Sequence, residues 1–115
     1  MTSYVLILRN DRRRKLRIGA LGELEFEAGY YFYVGSLNGA HRIKRHFRSE
    51  KSKRWHVDYL EMERMAAILT KLEECRLAAK LSQLRSVPRF GCSDCSCESH
   101  LFYSPSLSAV KILWR

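Results

Sequence analysis

Tyr4, Tyr33, Arg42, His46 and a glutamate in a later helical segment give this 115-residue chain the side chains that phosphodiester hydrolysis needs. That reaction asks for a base to take a proton from water and a cation to offset charge gathering on the phosphate. It usually also asks for a metal ion to activate an oxygen. Tyrosine is a weak base at its ordinary pKa of about 10. A neighbouring arginine or metal ion favours the phenolate and brings proton transfer within reach.

These residues can act together only if local structure brings them together. Tyr4-Val-Leu-Ile-Leu-Arg9 is apolar throughout and reads as a central strand. Alternation puts Tyr4, Leu6 and Leu8 on one face and Val5 and Ile7 on the other. Gly29-Tyr-Tyr-Phe-Tyr-Val-Gly-Ser36 is aromatic and β-branched between glycines, a second strand with Tyr31, Tyr33 and Gly35 on one side. Asn38 is a fitting N-cap for a basic helix carrying His41 to Arg48. Ala40, Ile43 and Phe47 form its apolar stripe, and Arg42 and His46, four apart, share the face beside it. Lys44, Arg45 and Arg48 then point outward.

The remaining segments are expected to frame this unit. Leu16-Arg-Ile18 and Leu24-Glu-Phe26 read as short strands, the second an edge strand with a wet face. Trp55-His-Val-Asp58 reads as a helix entry, Asp58 as N-cap with Glu61 three residues later. That helix would carry Leu60, Met65, Ile68 and Leu69 inward. His56 beside Asp58 suits either a place near the phosphate or a packed helix entry. Trp55 suits a core anchor better than a base-stacking platform. Leu72 to Leu84 is helical, packed through Leu77, Leu81 and Leu84, with Pro88 closing the region. Arg89 to His100 is too rich in Gly, Ser and Cys for regular structure. Leu101-Phe-Tyr103 and Ala109 to Trp114 read as late strands.

Length and composition indicate one domain, residues 1–115, with a modest core. The net charge is +9. Residues 1–54 hold thirteen Arg and Lys against five Asp and Glu, whereas residues 55–115 hold eight against seven. The excess lies with the tyrosine and arginine motifs and suits an anionic partner, nucleic acid above all. No stretch is long and apolar enough for a membrane span, and the N-terminus lacks a signal-peptide layout. Cys92, Cys95 and Cys97 crowd into six residues, which fits thiols or a metal better than a secreted disulfide framework. A cytoplasmic protein with no membrane role is expected.

The cysteine-rich segment has two readings. Cys92, Cys95, Cys97 and His100 offer soft ligands, but Cys95 and Cys97 are closer than usual zinc spacing. Buried thiols with a hydrogen-bonded histidine are the simpler account, and a structural Zn2+ on Cys95, Cys97 and His100 is the alternative. Cys75 reads as a core residue.

The set Tyr4, Tyr33-Val-Gly35, Arg42 and His46 resembles the GIY-YIG nuclease superfamily. Five ordered motifs resemble its Uri-type endonuclease branch more narrowly. They are Gly-x-Tyr-x-Tyr-Val-Gly-Ser, Arg-Ile-x-Arg-His, Trp-His-x-Asp-Tyr-Leu, Glu-Cys-x-Leu-Ala and Ser-Asp-Cys-x-Cys-x-Ser-His-Leu-Phe-Tyr. The resemblance implies an α+β fold, a small, mainly antiparallel sheet flanked by helices, and metal-dependent DNA cleavage. It implies that Tyr4, Tyr33 and His46 help activate water and that Arg42 steadies the scissile phosphate. It further implies that a helical glutamate holds Mg2+ or Mn2+. Helical geometry does not choose between Glu73 and Glu74; the family's Glu-x-x-Leu pattern aligns on Glu74. The chain departs from the pattern at Thr2, where glycine is usual, and at Cys92, where serine is more frequent. It departs again at Gly91, where the wider superfamily has an asparagine. That amide's role is either absent or supplied by Asp94, His56 or His100.

The sequence is therefore read as a metal-dependent DNA endonuclease with little base specificity, RNA staying open as a substrate and oligomeric state unassigned. Its catalytic set is Tyr4, Tyr33, Arg42, His46, His56 and Glu74, with Glu74 holding the metal. Arg12, Arg13, Arg14, Lys44, Arg45, Lys51, Lys53 and Arg54 would grip the nucleic-acid backbone. A nucleic-acid-binding module of the same fold without cleavage is the alternative, motivated by Gly91. A zinc-stabilised interaction protein is a third reading.

Overall fold

The computed structural model describes residues 2–37, 41–48, 55–92 and 97–114. The first strand, β1 (Ser3–Asn10), is almost wholly buried and has partners on both sides. Next come β2 (Arg14–Arg17) and β3 (Glu23–Phe26), then β4 (Gly29–Ser36) and the short helix α1 (His41–His46). A 3-10 turn at His56–Tyr59 leads into β5 (Glu63–Thr70), followed by α2 (Glu74–Leu81), β6 (Arg85–Ser86) and β7 (Leu101–Ser104). Among the described residues, the main sheet runs β5-β1-β4-β7-β6, every neighbouring pair antiparallel, while β2 and β3 pair as a separate ribbon. The fold is thus α+β, an antiparallel sheet flanked by helices.

Alternation along β1 and β4 sorts side chains into two cores, one on each face of the sheet. Tyr4, Leu6, Leu8, Tyr31 and Tyr33 meet Phe26 of the ribbon and Ile18 just after β2, together with Val57, Leu60 and Phe90. Val5, Ile7, Phe32 and Val34 meet Leu77, Ala78 and Leu81 of α2, with Ile112 behind them. The helix expected over Leu72–Leu84 is present as Glu74–Leu81, and Leu84 packs partly buried on the second core.

Two expected elements take another form. Glu63–Thr70 is not a helix but the edge strand beside β1, registered from Ser3↔Thr70 to Arg9↔Glu63. Its Ala, Met and Leu residues favour helix intrinsically, but the open side of β1 needs a hydrogen-bonding partner, and that tertiary demand outweighs propensity. Consequently Met65 and Leu69 stay exposed, while Leu60 is buried. Arg64 reinforces the change, donating to the carbonyls of Val57, Leu60 and Met62 and so holding the preceding turn away from helix. The C-terminal segment is also not a strand. Leu107–Trp114 coils as a 3-10 helix, buries Ile112 and receives Lys80 Nζ on the carbonyl of Leu113. No helix among the described residues is long and apolar enough to cross a membrane.

Candidate active site

Tyr4 enters the first core from β1, opposite Gly35 of β4 in the sheet register. A Cβ at Gly35 would overlap the Tyr4 ring, with Cε1 only 2.7 Å away, so the hydroxyl end of the ring occupies the space that the missing side chain leaves. Its hydroxyl lies 2.5 Å from His46 Nε2, a short, buried hydrogen bond whose direction follows the imidazole tautomer. Tyr33 completes the group, its ring centroid 6.4 Å from that of Tyr4 and 5.9 Å from that of His46.

His46 reaches this position because α1 turns it, and not Phe47, into the core. His46 is buried and Phe47 is largely exposed, so the expected stripe is corrected by one residue; Ile43 remains partly buried. Asn38 and Ala40 lie outside the described residues. Arg42 donates from Nη1 to the carbonyl of Ser36 at 3.1 Å, and its guanidinium carbon lies 5.4 Å from the centre of the Trp55 ring. Trp55 also packs at a tilt against His46, with centroids 5.6 Å apart, so it anchors α1 against the core.

Arg45 does not point outward as expected. Its Nη1 lies 2.7 Å from Asp58 Oδ1, with side-chain exposures of 13% and 0%, and its guanidinium also covers Trp55. Asp58 is not the N-cap of a following helix. Its Oδ2 instead accepts the backbone N–H of Trp55 at 2.8 Å, closing the 3-10 turn from its third position. The sequence signalled a cap at Asp58, but not the direction in which the carboxylate reaches.

The two candidate glutamates have different duties. Glu73 is exposed and caps α2, accepting the N–H of Arg76 at 2.8 Å. Glu74 is half-buried, with Oε2 3.8 Å from His100 Nδ1, and among the described residues no lysine or arginine is in ion-pair distance of it. Burial pushes the phenols of both Tyr4 and Tyr33 well above the ordinary tyrosine range; Arg42 opposes this, while Glu74 and Asp58 add to it. Arg42 and Glu74 therefore act on the same two hydroxyls from opposite electrical signs.

Gly91, with φ of +72°, turns the chain against this cluster: an added Cβ would lie 3.2 Å from Tyr33 Cε1 and 3.3 Å from His100 Cβ. Its N–H donates to His56 Nδ1 at 2.9 Å, which fixes His56 as an acceptor. Burial lowers the His56 pKa and keeps the imidazole neutral, as that bond requires. His56 thus braces the turn behind Tyr33.

The basic residues divide. Arg12 and Lys44 are exposed. Arg13 pairs with Glu25 and Glu27, and Arg14 with Asp11 and the carbonyl of Glu61. Lys51, Lys53, Arg54, Asp94 and Cys95 lie outside the described residues. A residue the sequence did not suggest enters through α2. Cys75, read as core, presents its thiol beside Cys97 and His100, and the three ligand atoms lie within 4.8 Å of one another. No short-range spacing could have signalled it, because Cys75 is 22 residues from Cys97.

A family model described as "Domain of unknown function DUF123" matches residues 3–113, and the chain belongs to that family. No curated protein and no solved structure matches it.

Proposed function

We propose that this protein is a metal-dependent endonuclease that hydrolyses DNA phosphodiesters with little base specificity, as its resemblance to GIY-YIG nucleases of the Uri type implies. The observation that carries the reading is the Tyr4–His46 hydrogen bond of 2.5 Å, set beside Tyr33 and flanked by Arg42 and Glu74. Because burial disfavours its phenolate, Tyr4 works as a relay and not as a standing base. Water passes a proton to Tyr4 Oη while the phenolic proton moves to His46 Nε2. The water oxygen bonds to phosphorus, the bond to the leaving oxygen breaks, and that oxygen takes a proton from solvent. Arg42 spends one guanidinium donor on Ser36 and offers others to the phosphate.

Glu74 fits a hard divalent ion. It is a half-buried carboxylate with His100 Nδ1 3.8 Å away and no lysine or arginine in ion-pair distance among the described residues, and its charge is one that raises both tyrosine pKa values. Magnesium or manganese held there, with water and phosphate as further oxygen ligands, would supply charge neutralisation on the phosphate. The exposed Arg12 and Lys44 are available to meet a nucleic-acid backbone.

The test incubates the protein with single-stranded, duplex and branched DNA, and with RNA, with and without Mg2+ or Mn2+. Metal-dependent cutting that Tyr33→Phe and Arg42→Ala reduce by at least ten-fold is the expected result. Salt-sensitive binding with no cutting of any substrate would overturn it in favour of the binding module, which the glycine at position 91 motivates.

A further inference from the structure

We propose that Cys75, Cys97 and His100 form a zinc-binding site that ties the first turn of α2 to the segment entering β7. Cys75 is the second residue of α2, Cys97 and His100 lie just before Leu101, and their ligand atoms all fall within 4.8 Å. The sulfurs of Cys75 and Cys97 are 2.8 Å apart. Two 2.3 Å zinc–sulfur bonds at a tetrahedral angle span about 3.8 Å, so a small side-chain rotation opens the pair to the required edge. Loss of one proton from each thiol on binding leaves two thiolates, which neutralise the ion, while the histidine binds through a neutral nitrogen.

The surroundings suit a structural ion. His100 is buried, and its backbone is pinned on both sides: its N–H donates to Phe90 and its carbonyl accepts from Val34. The backbone that carries the imidazole is therefore held without the metal. The two thiols open onto a cavity of about 250 Å³ also lined by Ala78, Ser82 and Phe102, which gives the ion a way in. Two sulfurs and one imidazole select zinc over the hard ions that suit Glu74. The fourth position of the tetrahedron falls to water or a further donor.

This set differs from the one the sequence suggests. There the ligands come from one short segment; here one sulfur comes from a separate helix. A bond from Cys75 to the ion crosses from helix to loop and fixes the chain immediately after Glu74. The zinc site stands independently of the nuclease reading, because metal content is measured without nucleic acid.

The protein is purified from zinc-supplemented cells, reduced and without chelator, and analysed by elemental and native mass spectrometry. About one zinc per chain is expected, falling at least ten-fold in Cys75→Ser and in Cys97→Ser. Cobalt exchange should give intense tetrahedral visible bands and thiolate charge-transfer absorption. If the serine variants fail to fold, the parent still decides: zinc should slow alkylation of Cys75 and Cys97 at least ten-fold, and chelation should reverse it. A Cys75→Ser protein that keeps full zinc would overturn the ligand set. So would a zinc-free parent whose two thiols alkylate equally with and without added zinc, or are joined as a disulfide.

Discussion

Replacing Gly35 by alanine isolates the geometry of Tyr4 from its chemistry. The β4 backbone at this position has no left-handed requirement, so alanine is sterically acceptable to the strand itself. The difficulty is the neighbour: the new methyl overlaps the Tyr4 ring along one edge, with Cε1 2.7 Å away. That ring is 1% exposed and already in contact with Tyr33 and His46, so it has to shift and draw its hydroxyl off His46 Nε2. Overpacking of this kind costs about 1–3 kcal/mol, and loss of the hydrogen bond adds about 1 kcal/mol. Reduced freedom of the unfolded chain returns up to about 1 kcal/mol. A net loss near 2 kcal/mol lowers Tm by roughly 8 °C in a chain of this size. Misplaced proton transfer slows cleavage by about 10²-fold or more. Single-turnover cleavage and thermal melts of Gly35→Ala, Tyr4→Phe and the double variant measure both effects. The two rate losses should not add, because either change already removes the relay. A folded Gly35→Ala protein that cuts at the parental rate, or losses that multiply, would refute the role given to Tyr4.

Three other outcomes follow from contacts outside the relay. Arg45→Met removes the 2.7 Å ion pair from the buried carboxylate of Asp58 and should cost about 3 kcal/mol or more in urea unfolding. Adding Asp58→Asn should recover part of that loss. Burial holds the His56 pKa below the 6.5 of the unfolded chain, so the unfolded state takes up the proton first as pH falls. The stability from neutral His56 is complete above about pH 6.5 and disappears as pH falls through the folded pKa. The drop in Tm between neutral and mildly acidic buffer should be smaller in His56→Asn. Glu73→Ala removes the α2 cap and should cost about 1 kcal/mol while cleavage persists.

The sheet centre and the tyrosine faces were legible because alternation is a local signal that burial on both sides of β1 and β4 preserves. The segment 63–70 was not, since its residues favour helix and only the vacant edge of β1 makes them a strand. Trp55-His-Val-Asp58 showed a capping pattern whose carboxylate turns back to Trp55 and across to Arg45, a use that depends on where α1 lands. Arg42 and His46 were legible as neighbours from their spacing. That His46 points inward instead of Phe47 depends on the phenol waiting on β1. Cys75 was hidden because its partners meet it only through tertiary packing.

Glu74 is where the hydrolytic reading is most exposed to failure. Mn2+-dependent single-turnover cleavage by the parent, Glu74→Gln and Glu73→Gln, with folding checked by thermal melt, addresses it most directly. The account predicts that Glu74→Gln loses at least 10²-fold in rate and no longer responds to added metal, while Glu73→Gln retains cutting. Undiminished, metal-dependent cleavage by a folded Glu74→Gln protein would contradict it.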